Sequence, residues 1–172
     1  MYYRVEEDTL FLLDHVRPRG RILEIGAGSG YISFSLARMG YDVTATDIDD
    51  DAIEHMKDVV EREKIDVRVI KSDLFDDVDG EFDTIIFNPP YLPGDADEDV
   101  AIYGGREGDE VIYRFLKDAY AHLKNEGSIF IILSSYNNVE RMKERFNNYE
   151  FRMLDRKNFF FHSIYVYELK KR

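Results

Sequence analysis

Chemistry-bearing residue types are densest in this 172-residue sequence at Asn88-Pro89-Pro90-Tyr91. The stretch follows Phe82 to Phe87, an apolar run of strand character, which predicts a position at the carboxyl end of a buried strand, where α/β proteins hold ligands. The Asn88 side-chain oxygen and the Pro89 carbonyl can accept the two hydrogens of one planar nitrogen. An amide nitrogen needs such a clamp, because its lone pair is delocalised into the carbonyl and must be aimed at an electrophile before it reacts. Pro89 and Pro90 restrict Asn88 to extended backbone and stiffen the acceptor pair. Tyr91 can stack on the planar group and favour positive charge developing on the nitrogen. The reading without chemistry is a proline turn with an Asn cap and a packed Tyr.

A second cluster, Glu24-Ile25-Gly26-Ala27-Gly28-Ser29-Gly30, falls where an apolar strand turns into a helix. Its glycines let the backbone run close beneath a ligand. The spacing is G-x-G-x-G and not the G-x-G-x-x-G of dinucleotide folds, whose helix N-terminus receives a pyrophosphate. S-adenosylmethionine has no phosphate, and an acidic Glu24 suits its sulfonium and amino groups. Asp47 closes the next expected strand, where a carboxylate can accept both ribose hydroxyls, and Ile48 beside it can cover an adenine face. Asp73 with Leu74 repeats this arrangement after the third strand, for the adenine amino group and ring. Capping of the following helix by Asp47 along with Asp49 and Asp50, and a simple turn role for Asp73, are the competing readings.

These clusters need a frame that brings strand ends together, and the pattern of apolar runs supplies one. Strands are predicted at Arg21 to Gly26, Asp42 to Asp47, Val67 to Asp73, Phe82 to Phe87 and Ser128 to Ser135. Helical spacing covers Tyr31 to Met39, Asp50 to Glu63 and Glu107 to Leu123. A short helix, Thr9 to Leu13, precedes them with Asp8 or Thr9 as N-cap. Another is expected near Asn138 to Phe146. Two final strands, Tyr149 to Asp155 and His162 to Leu169, lie too close in sequence for a parallel crossover and predict an antiparallel hairpin. The class is α/β, with one domain over 1–172 and one long irregular stretch, Pro89 to Arg106.

Composition narrows the partners. Acidic residues outnumber basic ones 35 to 23, for a net charge of −12. That disfavours free nucleic acid as a ligand. There is no cysteine, and the four histidines lack paired ligand spacing, so neither a disulfide nor a metal site is expected. The sequence shows neither a signal peptide nor a membrane span, which predicts a cytoplasmic protein. The Phe159-Phe160-Phe161 run receives no role.

At Asn88 to Tyr91 and at Gly104-Gly105-Arg106-Glu107-Gly108 the chain resembles the HemK/PrmC family of glutamine methyltransferases, which modify the Gly-Gly-Gln motif of translation release factors. Glu107 stands where that family usually carries Asp, and glycine punctuation before a helix is the alternative reading of the segment. Asn88 to Tyr91 alone is shared with enzymes acting on adenine N6 and other nucleobase amines, so that acceptor stays open, as does lysine. Tyr3, Glu7, Asp8 and Thr9 resemble the opening of the short archaeal and eukaryotic branch, with Val5 in place of its usual proline. The resemblance implies a class I Rossmann-like fold with strand order 3-2-1-4-5-7-6 and strand seven antiparallel. It implies S-adenosylmethionine as donor and S-adenosylhomocysteine as product. It implies that Gly26, Ala27, Gly28 and Gly30 border the donor, and that Glu7 and Thr9 help close over it. It further implies a release factor as substrate, a small zinc-binding activator as partner, and no separate N-terminal recognition domain. A nicotinamide oxidoreductase and a non-catalytic subunit remain the rivals from other classes.

Overall fold

The computed structural model describes residues 7–90 and 109–172. Seven strands form one sheet in the order β3-β2-β1-β4-β5-β7-β6. They are β1 (Arg21–Ile25), β2 (Asp42–Asp47), β3 (Val67–Lys71), β4 (Phe82–Phe87), β5 (Leu123–Ser134), β6 (Tyr149–Asn158) and β7 (Ser163–Lys171). The first five run parallel, while β7 is antiparallel to both β5 and β6. The order and the antiparallel seventh strand are those the resemblance implied.

Strands buried on both faces need apolar side chains in succession, and the pairs Ile22/Leu23, Ile85/Ile86 and Phe130/Ile131 send one residue to each side. One core joins Leu23, Ile85 and Ile131 to Phe115 and Leu116 of α4 (Glu110–His122) and Met142 of α5 (Val139–Arg145). The other joins Ile22, Ile86 and Phe130 to Leu12 of α1 (Glu7–His15), Ile32 of α2 (Tyr31–Arg38) and Met56 of α3 (Asp50–Glu63). Helices therefore cover both faces and leave the strand ends as the place for a site.

Several boundaries differ from the sequence reading, each for a local reason. Helix α1 begins at Glu7, so Asp8 lies in its first turn, where an acid complements the helix dipole, and neither Asp8 nor Thr9 is the cap. Strand β5 begins five residues earlier than expected. Its ladder with β4 jumps from Phe82↔Leu123 to Thr84↔Ser128, and the exposed Lys124, Asn125 and Glu126 between them carry no apolar signal. Strand β6 continues to Asn158 through a register shift between Met153 and Asp155 that breaks its alternation. Residues 107 and 108, expected at the start of α4, lie outside the described residues.

Candidate active site

The glycine loop rises from β1 and ends at Gly30, the N-cap residue of α2. Gly26, Gly28 and Gly30 have φ of 65°, 57° and 81°, so the loop winds through the left-handed region that favours glycine. They nevertheless do different work. A Cβ on Gly30 would stand 2.6 Å from the Phe34 ring and 3.0 Å from Met56, so Gly30 is demanded by packing. Among the described residues, a Cβ on Gly26 would meet only the Phe87 ring at 3.5 Å, and Gly26 is exposed, so none of those residues fills the space above it.

Asp47 ties this loop to β2. Its carboxylate accepts from the Gly28 N–H at 2.8 Å and from the Asp49 N–H at 2.9 Å. The helix-capping role falls instead to Asp49, whose side chain accepts from the N–H groups of Asp51 and Ala52. Burial raises the Asp47 carboxyl above its ordinary range, while the two backbone bonds oppose the shift. A carboxylate has about four lone-pair sites, so these bonds leave capacity for a diol. Ile48 beside it is 51% exposed, an apolar surface left open at the crevice.

Glu24, expected from the sequence to suit the donor's sulfonium and amino groups, is buried. It lies beneath the loop, 4% exposed, and its Oε1 accepts from the Ser33 hydroxyl at 2.7 Å and the Ser33 N–H at 3.2 Å. Desolvation pushes its carboxyl up to about 8, against the two Ser33 bonds that favour the anion. Ser33 is thus a site-supporting residue that the sequence reading passed over, since a serine inside a helix carries no distinguishing pattern.

After β3, the Ser72 N–H donates to the Asp47 carbonyl at 3.0 Å, which sets the two candidate adenosine-binding turns side by side. Asp73 pairs with Arg114 of α4 at 3.0 Å. Leu74 has φ 51°, an uncommon conformation for a non-glycine residue, and is buried in the α4-side core. Asn88 follows β4, which pairs directly with β1 in a ladder ending at Ile25↔Phe87. The acceptor motif therefore starts beside the glycine loop. Asn88 and Pro90 are half-buried and Pro89 is buried. Tyr91 and Gly104 to Gly108 lie outside the described residues.

Next to this motif, at the end of β5, is a polar cluster that sequence reasoning missed. Buried Asn137 accepts from the N–H and hydroxyl of Ser134 and donates to Asp109 at 2.7 Å, fastening the start of α4 to β5. A Ser-Ser-Tyr-Asn-Asn run reads only as a turn. Glu7 is exposed and pairs with Lys157 on β6, in the half of the sheet away from the glycine loop. Thr9 is half-buried in α1. The structure does not bring Glu7 together with the loop residues.

A glycine-loop crevice beside a strand-four Asn-Pro-Pro turn, on a sheet of this order, defines a class I methyltransferase. Its relatives agree. The chain belongs to the methyltransferase small domain family, whose model matches residues 2–161. A protein of Methanocaldococcus jannaschii, provisionally named a protein N5-glutamine methyltransferase, is 36% identical over 142 residues, covering 77% of this chain and 72% of that one. The E. cuniculi Mtq2–Trm112 complex, described as responsible for methylation of the eRF1 termination factor, contains a chain 26% identical with a TM-score of 0.81 and 99% coverage of both chains. A Thermus thermophilus 16S rRNA N2 G1207 methyltransferase, solved with AdoMet and guanosine, is 26% identical with a TM-score of 0.73, covering 98% of this chain and 44% of that one. The chain spans about half the length of bacterial release factor glutamine methyltransferases, 48% for that of Streptococcus pneumoniae at 28% identity.

Proposed function

We propose that this chain is an S-adenosylmethionine-dependent methyltransferase of the cytoplasm, acting as a single domain over 1–172 on the side-chain amide of a glutamine in a translation release factor. The observation that carries this reading is the end-to-end match to the Mtq2 chain, combined with an Asn-Pro-Pro turn beside the glycine loop. The described residues fit the donor. An open face over Gly26, a diol-competent Asp47 and an exposed Ile48 suit an adenosine, and no basic side chain lies in the loop to attract a phosphate.

When bound, the donor supplies an electrophilic methyl group on a sulfonium. The protein's part is binding and aim. Asp47 holds the ribose hydroxyls, Ile48 covers the adenine with the turn at Leu74 beside it, and Asp73 accepts from its amino group. Gly26, Ala27 and Gly28 keep the backbone low beneath the donor. Asn88 and the Pro89 carbonyl accept the acceptor amide's two N–H hydrogens and turn its lone pair toward the methyl. Tyr91 stacks on the amide plane. No side chain is required as a base, because an N-alkylated amide cation is itself a strong acid.

The partner proposed is a small zinc-binding activator protein seated on the β3 edge. The product of turnover is S-adenosylhomocysteine. Likeness to the rRNA enzyme favours a nucleobase amine as the second reading, and the net charge of −12 weighs against it. Purified chain with labelled donor is assayed against a release factor, RNA and DNA. Label on the glutamine of the factor is the expected result, and label confined to nucleic acid would replace the reading.

A further inference from the structure

The turn between β6 and β7 places Phe160 and Phe161 at 93% and 84% exposure, whereas no other large apolar side chain among the described residues exceeds 67%. These rings meet edge to face at 4.8 Å. Behind them Phe159 stacks on His162 at 5.0 Å, and His162 stacks on Tyr136, just beyond β5, at 5.4 Å. The turn beneath is firmly held. Asn158 Oδ1 accepts from the Ser163 hydroxyl at 2.7 Å and from Arg156 Nε at 2.8 Å. The Ser135 N–H donates to the Ser163 carbonyl at 2.9 Å, and the Ser163 N–H returns a bond to Ser135 Oγ at 3.0 Å. Two phenylalanines are therefore held in water on an ordered support, which is the composition of an interface anchor.

We propose that this aromatic tip is the docking surface for the protein that carries the acceptor glutamine. The inference rests on the glutamine reading above, and its location provides the argument. Because β7 is antiparallel, its start lies at the edge of the sheet where β4 and β5 end, as the pairing Ser134↔Ile164 shows. In the order β4-β5-β7 the start of β7 is two strand spacings, or about 10 Å, to the side of the Asn88 strand, and the pairings Phe87↔Ile131 and Ser134↔Ile164 put Ser163 about three residues, or about 10 Å, beyond it, a separation of about 14 Å at the base of the tip. A standard protein interface covers about 800 Å² per partner, equivalent to a disc of about 16 Å radius, so a folded acceptor centred on Asn88 reaches the tip. A single glutamine side chain presents too little surface to select one protein, and the rim around the site must supply the rest. The tip's aromatic rings, continued by Tyr136 toward the β5 end, form an apolar anchor there.

The test is a Phe160→Ala/Phe161→Ala double variant of the full chain, assayed alone and with the activator, against the wild type on an intact release factor. Removing exposed rings leaves no cavity, so the fold is retained. We expect KM for the factor to rise about tenfold or more, with saturating kcat and the calorimetric donor Kd within about twofold of wild type. Phe160→Leu/Phe161→Leu restores most of the affinity. An unchanged KM in the variant beside an active wild type overturns the docking surface and leaves the glutamine reading standing. So does a wild-type dimer that the variant dissociates, or RNA binding that it abolishes, with no effect on KM for the factor. A wild type that methylates no release factor overturns both.

Discussion

Asn88, Asp47 and Glu24 occupy three strand ends of one crevice but have separable roles. Asn88 touches the acceptor in the proposed reaction, and its hydrogen bonds strengthen as charge develops on the nitrogen. Asn88→Ala is expected to lower kcat by roughly 100-fold while donor affinity by calorimetry stays within about twofold. Asp47→Ala has the complementary signature: donor binding weakens by about 1–3 kcal/mol, because a buried diol contact is lost. A folded Asp47→Ala protein with unchanged donor Kd would remove Asp47 from the site. Glu24 reports through pH. Its carboxyl is raised to about 8 in the folded chain from an ordinary 4.5, so between those values the folded state holds a proton that the unfolded state has lost. Its contribution to stability is present in full below about pH 4.5 and disappears as pH rises through about 8. Thermal melts should therefore show the wild-type Tm falling over that window and a flatter profile for Glu24→Gln, whose amide oxygen can still accept both Ser33 bonds. Parallel profiles for the two proteins would mean that Glu24 is charged in the folded state.

At the scale of elements, the glycine loop illustrates how one motif combines packing with binding. Gly30→Ala forces a Cβ to within 2.6 Å of Phe34 at φ 81°, with an expected loss of roughly 2–3 kcal/mol, or a Tm drop on the order of 5–10 °C. Gly26→Ala carries left-handed strain at φ 65° but, among the described residues, meets only ordinary contact at 3.5 Å, so its Tm loss should be smaller than that of Gly30→Ala and calorimetry should show donor affinity falling as well. Equal effects in the two variants would deny that division. Both glycines were legible in the sequence, but their difference was not, because it depends on Phe34 and Met56 arriving from helices. The same holds more widely. Strands β2 and β4 were read to the residue, β4 from the apolar run Ile85 to Phe87 that marks a strand buried on both faces, and β2 from its β-branched Val43, Thr44 and Thr46 between two aspartates. The beginning of β5 and the end of β6 were not, because irregular pairing lets polar residues into the ladder. The Asp109–Asn137 pair joins two polar residues 28 positions apart, and only tertiary structure brings them together. The burial of Glu24 was not legible, since burial of a strand end depends on what the next helix lays over it.

The sheet as a whole ends in two edges. Among the described residues, β6 pairs only with β7 on one side and carries the aromatic turn; on the other, β3 pairs only with β2. Strand β3 alternates buried Val67 and half-buried Val69 with exposed Arg68, while half-buried Ile70 faces the opposite side. Lys71 is drawn to Asp50 of α3 at 2.6 Å. The outer backbone groups of such a strand are a template for a strand from another chain, with Arg68 as a partial guard. A partner that binds only the folded chain stabilises it by mass action without altering the active site, by about 2.7 kcal/mol at a concentration 100 times its Kd. For a chain of this size that corresponds to a Tm rise of roughly 5–10 °C. Expression with the candidate activator is therefore expected to give a heterodimer whose Tm and turnover on a release factor exceed those of the chain alone. Ile70→Asp places a charge against the added strand and should abolish both gains while the isolated chain keeps its donor Kd. An isolated chain that is fully active and unmoved in Tm by the activator would remove the β3 edge as a partner site.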